Sequence, residues 1–155
     1  MTNEKLIDAL NELILFNTDR ITGYEKAIKE TEDLDTGLKT IFSKMAQQSE
    51  GFRSELENLV TQMGGEISEG RTNLGKLYQA WMDLKQSFTG NDRQSILNSC
   101  EFGEDAILKA YKAALASDAE MSSEIRQLIL EQKEELMSSH DVIKKLRDTQ
   151  KAIQE

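Results

Sequence analysis

The 155-residue chain contains no proline, one cysteine, one histidine and one tryptophan, and aromatic residues make up only 6% of it. Each shortage excludes something. Cys100 alone cannot close an internal disulfide, and one cysteine with one histidine cannot furnish a Cys/His zinc site. No apolar run approaches the roughly 18 residues that a membrane-spanning helix requires. The first ten residues, MTNEKLIDAL, carry neither the basic start nor the apolar stretch of a secretory signal, so a cytoplasmic location is expected, with no membrane partner. Basic residues are in short supply too. The 19 Lys and Arg set against 28 Asp and Glu leave a formal charge of −9, which argues against a nucleic-acid partner held by phosphate neutralisation.

The missing prolines also say what is present, because proline breaks helix interiors and long helices leave few places for it. Four segments carry apolar residues at alternating spacings of three and four, the mark of a helix with one buried stripe. The first stripe is Ile7, Leu10, Ile14, Asn17, Ile21, Tyr24 and Ile28; the second is Leu38, Phe42, Met45, Ser49, Phe52, Leu56, Leu59 and Met63. The third runs Leu97, Cys100, Glu104, Ile107, Tyr111 and Ala114, and the fourth Ile125, Ile129, Gln132, Leu136, Ser139, Ile143, Leu146 and Gln150. Expected helices cover 3–33, 36–63, 92–116 and 119–152, with the residues after Thr149 fraying. Asp35 or Thr36 can cap the second helix, Asn91 with Gln94 the third, and Ser117 with Glu120 the fourth, while Gly64-Gly65 can end the second.

Glycines crowd the stretch from Gly64 to Gly90, between the two helix pairs. Within it Leu74, Leu77, Tyr78, Trp81, Leu84 and Phe88 keep helical spacing, so 72–88 is expected to form a short amphipathic helix with Trp81 as a packing anchor. The connection is long enough to span the bundle, which leaves the third helix free to start at either end. The length suits one domain over 1–155, an all-α four-helix bundle whose short-turn pairs, one–two and three–four, are antiparallel.

The informative residues are the polar ones inside the stripes. Asn17, Ser49, Glu104, Gln132, Ser139 and, slightly off the stripe centre, His140 fall near the middles of their helices and can meet as a polar layer in the core. A buried carboxylate such as Glu104 is costly unless paired or protonated, and Tyr24, Tyr111, Asn17 and His140 are its candidate partners. The layer either fixes helix register, as a buried Asn does in coiled coils, or holds an ion or ligand. A buried charge often weakens a core, so on the structural reading Glu104→Gln is expected to be neutral or to stabilise by about 1 kcal/mol.

A two-metal site in such a bundle needs one Glu from each of two helices and Glu-x-x-His from each of the other two. Only Glu104 and His140 answer that demand. The matching places hold Asn17, Ser49, Phe52 and Met137, Glu50 is followed at the ligand spacing by Arg53, and Glu101 with Glu104 forms a carboxylate pair three apart. Cys100 lies on the third stripe and reads as a buried structural residue.

Several segments taken together carry a resemblance. They are Gly64-Gly65, then Gly75-x-x-Tyr78-x-x-Trp81-x-Asp83-Leu84-Lys85, then Cys100-Glu101-x-Gly103-Glu104-Asp105, then His140-Asp141 and Leu146-Arg147-Asp148. Over nearly the whole chain this resembles a family of small bacterial ferritin-like four-helix-bundle proteins described only as domains of unknown function. The resemblance implies a ferritin-like bundle with a long connection between the second and third helices, and a bacterial source. It implies no established activity, and the di-iron ligand pattern of the wider ferritin-like group is mostly missing here.

The leading expectation is a non-catalytic bundle that acts by protein interaction, with a stress-response setting by analogy to relatives of the fold. It assigns no catalytic, cofactor-binding or metal residue and no cofactor. The rival is a divergent di-iron or di-manganese redox protein using Glu101, Glu104 and His140. A homodimer is also expected, since Phe16, Tyr78, Phe88 and Phe102 exceed what one core needs.

Overall fold

The computed structural model describes residues 4–68 and 93–154, with the side chain of the last of these left aside. Among the described residues there are four helices and no strand: α1 (Glu4–Glu30), α2 (Thr36–Gln62), α3 (Arg93–Ala116) and α4 (Ser123–Gln154). The expected short helix over 72–88, with Trp81, and the expected cap at Asn91 lie outside the described residues. None of the described helices is long and apolar enough to cross a membrane.

Local chemistry explains the helix ends. Asp35 caps α2 by accepting the Leu38 amide at 3.3 Å, which satisfies one of the donors that a first turn leaves open. At the other end Gly64 takes φ +77°. The Gly64 amide donates to the Thr61 carbonyl and the Gly65 amide to the Val60 carbonyl, both at 3.0 Å, a Schellman arrangement that only a left-handed residue closes comfortably. Gly64→Ala puts a Cβ into that conformation and should cost about 1–2 kcal/mol, read as a lower urea midpoint at unchanged slope.

Three ends differ from expectation by two residues or more: α1 stops at Glu30 instead of 33, and α4 differs at both ends. α4 starts at Ser123, with the Ser122 hydroxyl accepting the Ile125 amide at 3.2 Å, whereas the Ser117 hydroxyl turns back to the Ala114 carbonyl at 2.7 Å and forms no box with Glu120. A hydroxyl with a carbonyl one turn behind it closes the old helix instead of opening the next. α4 also continues through Gln154, past the fraying point expected at Thr149.

α1 is the most enclosed of the four, with buried residues on more than one face, among them Asn11, Asn17, Asp19 and Arg20. Asn11 fastens the chain leaving α2, donating to the Glu66 carbonyl and accepting the Ser68 amide, each at 2.9 Å. Asp35 at the start of α2 is ion-paired and hydrogen-bonded to Arg93 at the start of α3, so these two helices begin side by side. The core falls into two apolar clusters. One gathers Leu10, Leu13, Ile14, Leu56, Val60, Ile107, Tyr111 and Ile129; the other gathers Tyr24, Leu38, Phe42, Leu97, Cys100 and Ile143. Phe16 packs against both.

Candidate functional site

Between the apolar clusters lies the polar layer, and its centre is an ion pair that the stripe pattern did not reveal. Arg20 and Glu104 are both fully buried. The Arg20 guanidinium donates to Glu104 Oε2 from Nη2 at 2.8 Å and from Nε at 3.1 Å. Its Nη1 donates to the Ser49 hydroxyl at 2.8 Å and to the Met45 carbonyl at 3.2 Å, and its Cζ lies 5.2 Å from the centre of the Tyr24 ring. The Tyr24 hydroxyl donates to the same Glu104 oxygen. Three donors therefore converge on Oε2, while Oε1 is buried without a hydrogen-bond partner among the described residues.

Burial, the strongest single influence on Arg20, disfavours its charge, but the Glu104 carboxylate and the two tyrosines together outweigh it and hold the guanidinium above its usual range. Tyr24 is pushed well above the usual phenol value, first by burial and then by the Glu104 charge.

A second branch of the layer runs from Asn17. Its Nδ2 donates to the Tyr111 hydroxyl at 2.9 Å, and that hydroxyl donates to Gln132 Oε1 at 2.6 Å. Gln132 Nε2 in turn donates to Glu55 at 2.9 Å and to the Phe52 carbonyl at 3.3 Å. Burial raises the Tyr111 phenol as well. Ser139 donates to Gln48 at 3.0 Å. Of the residues expected in the layer, Ser49 and Glu104 meet through Arg20, and Asn17 and Gln132 meet through Tyr111.

His140 is not among them. It lies on the α3–α4 seam, half-buried, with Nε2 2.7 Å from Asp105 Oδ1 and 3.6 Å from Glu101 Oε1. Its Nδ1 is 3.5 Å from Asp141 Oδ1. Arg147 Nη1 approaches Glu101 Oε1 at 3.3 Å. The expected grouping of Glu101, Glu104 and His140 is therefore divided. Glu101 and Asp105, four residues apart, share one face of α3 opposite His140, while Glu104 turns into the core. Burial raises the Glu101 carboxyl first, and the neighbouring Asp105 raises it further, against the opposing pull of Arg147 and His140. Glu101, Asp105 and His140 each offer a ligand atom, all within 4.8 Å of one another. Cys100, one residue before Glu101, is fully buried in the second apolar cluster.

Sequence spacing carried a signal for Arg20 that hydropathy hides. It stands three residues after Asn17 and four before Tyr24, on the buried face, yet it is charged and so drops out of an apolar stripe. Asp105 had a weaker signal, its position one turn beyond Glu101.

No curated protein matches this chain. A family model described as a domain of unknown function, DUF2383, matches residues 5–117, which takes in most of α1 and all of α2 and α3 with the core ion pair, and stops short of α4 and His140. With most of its length matched, the chain belongs to the DUF2383 family of domains of unknown function.

Proposed function

We propose that this chain is a single-domain, ferritin-like antiparallel four-helix bundle that works in the cytoplasm as a non-catalytic interaction protein, with a second copy of itself as partner. The order of the contacts supports the topology. Partner numbers fall on α3 as they rise on α1, from Asn17–Tyr111 to Tyr24–Glu104, and likewise between α2 and α4, from Ser139–Gln48 to Gln132–Glu55. α2 and α3 start side by side and so run in the same direction, the feature that sets ferritin-like bundles apart from simple up-and-down ones. The bacterial, stress-related setting rests on the sequence resemblance alone.

The observation that carries the interaction reading is the apolar surface on the second half of α4. Val142 is 44% and Ile153 72% exposed among the described residues, and with Leu146 they line a groove rimmed by Lys145 and Arg93. Lys145 on that groove suits the acidic surface of another copy of a chain of charge −9, while Arg93 beside it is held by Asp35. Light scattering should give a species of twice 17.6 kDa that Val142→Glu returns to 17.6 kDa. A 17.6 kDa species at high protein concentration would remove the dimer.

The rival two-metal redox reading draws less support. Glu104, which it needs as a ligand, already carries Arg20 and Tyr24 on one oxygen, and Glu101 and His140 meet elsewhere.

A further inference from the structure

We propose that Glu101, Asp105 and His140 bind one divalent first-row transition-metal ion at the α3–α4 seam, a mononuclear site separate from the core ion pair and independent of the dimer reading. The first support is geometric. The three ligand atoms lie within 4.8 Å of one another, presented by two packed helices, so little ordering is needed to assemble them. Bonds of about 2.0–2.2 Å to a shared ion bring neighbouring ligand atoms to about 3.0 Å from each other in octahedral and about 3.4 Å in tetrahedral coordination, a middle value of about 3.2 Å. The 2.7 and 3.6 Å distances from His140 Nε2 to the two carboxylates bracket that value.

The second support is how Nε2 is placed. It is shut off from solvent, yet it makes no hydrogen bond among the described residues, although Asp105 Oδ1 is only 2.7 Å away. A buried ring nitrogen flanked by two carboxylate oxygens, at 2.7 and 3.6 Å, is placed as one of three ligands around a shared ion. Behind the ring, Asp141 Oδ1 faces Nδ1 at 3.5 Å, the place where metal-bound imidazoles commonly keep an outer carboxylate.

Charge is the third support. Glu101, Asp105 and Asp141 face the cluster, and Arg147 beside them is shared with Asp148, so four carboxylates against one guanidinium leave a surplus of three negative charges, which a divalent ion offsets in large part. The donor set fixes the ion's class. Two carboxylates and an imidazole, without sulfur, suit Zn²⁺, Mn²⁺ or Fe²⁺, whereas Mg²⁺ and Ca²⁺ gain little from the ring nitrogen. Three protein ligands leave at least one position for water.

His140 is the chain's only histidine, so its imidazole proton resonances form an unambiguous reporter in a chain free of any histidine tag. Zn²⁺ titrated into the whole chain in the presence of a large excess of Mg²⁺ should shift those resonances, saturating at one ion per chain by equilibrium dialysis. His140→Ala and Asp105→Asn should each weaken binding beyond the about 100-fold that an outer-shell partner commands, and Asp141→Asn by about 10-fold. Glu134→Gln, an exposed acid elsewhere on α4, should change nothing. These side chains lie at or near the surface, and circular dichroism of each variant establishes that its helices are intact. Imidazole resonances that stay still at saturating Zn²⁺ would overturn the site, as would binding that survives both His140→Ala and Asp105→Asn.

Discussion

Glu104→Gln should destabilise the protein by about 3 kcal/mol, and Arg20→Met by about 3–5 kcal/mol, because each leaves one half of a fully buried ion pair without its counter-charge. The sign for Glu104→Gln is the reverse of what the carboxylate predicts on its own. A lone buried acid would be relieved by neutralisation. Here the same change strands the Arg20 charge: an amide oxygen, Ser49, and the Met45 carbonyl and sulfur can still accept its N–H groups, but no carboxylate balances the guanidinium. Removing both charges at once is a different matter. In Arg20→Met with Glu104→Gln, the amide oxygen still accepts from Tyr24 and no buried charge remains. The double variant should therefore be more stable than either single one, with a coupling energy above about 3 kcal/mol in the cycle. Total stabilities of about 5–15 kcal/mol make these losses large, and for a chain of this size they correspond to melting points lower by about 10 °C. Urea midpoints of the four proteins decide the point. A Glu104→Gln protein within 0.5 kcal/mol of the parent would mean that the Arg20 charge is not stranded by the loss of the carboxylate.

That reversal also marks how far the sequence could be read. The stripes on α2 and α3 were legible because the stripe positions there, Glu104 apart, are apolar or small polar residues at helical spacing. Phe42, Ser49, Phe52 and Leu56, and Leu97, Cys100, Glu104, Ile107 and Tyr111, are all buried as the spacing requires. The polar layer was legible as a set of interruptions, but its chemistry was not. An arginine at a stripe-compatible position reads as surface unless its counter-ion is known, and that counter-ion lies 84 residues away on another helix. His140 failed for a related reason. It stands next to Ser139, which does turn inward, and one residue's difference is 100° around the helix, enough to move a side chain from the core to the seam. The start of α3 beside α2 was beyond reach, because it depends on one contact, Asp35 to Arg93, across a connection whose path the spacing leaves open.

The layer has a physical consequence for how the helices fit. Apolar clusters on either side of it would tolerate a shift of one helix along another at modest cost, since Leu, Ile and Phe pack in many ways. The Arg20 fork, with donors committed to Glu104 on α3 and to Ser49 and the Met45 carbonyl on α2, does not. Asn17, Tyr111 and Gln132 tie α1, α3 and α4 by the same logic. Together they fix the relative height of all four helices, which in turn sets Glu101 and Asp105 opposite His140.

Alkaline solution should unfold the protein cooperatively, through the same layer. Tyr24 and Tyr111 are both fully buried, and burial holds both phenols above their usual value, with the Glu104 charge adding to the effect at Tyr24. A group whose folded-state pKa is raised contributes stability that is complete below the unfolded pKa, near 10 for tyrosine, and is lost as the pH climbs toward the folded value. Above pH 10 the unfolded chain releases both protons while the folded one keeps them, so stability should fall by about 2.7 kcal/mol per pH unit, twice the value for a single group. That slope exhausts a typical domain's stability within a few units. Two readouts check it together. Tyrosinate absorbance of the folded protein should stay at or below one third of its value in denaturant, since two of the three tyrosines are these two. Urea midpoints taken from neutral pH upward should hold level and then drop once pH 10 is passed. Tyr111→Phe should halve the slope, and it leaves the Arg20–Glu104 pair and Tyr24 in place. Tyrosinate absorbance that reaches the full denatured value while the helical circular dichroism persists would show that the phenols ionise inside the fold, and the layer would not be the closed network described above.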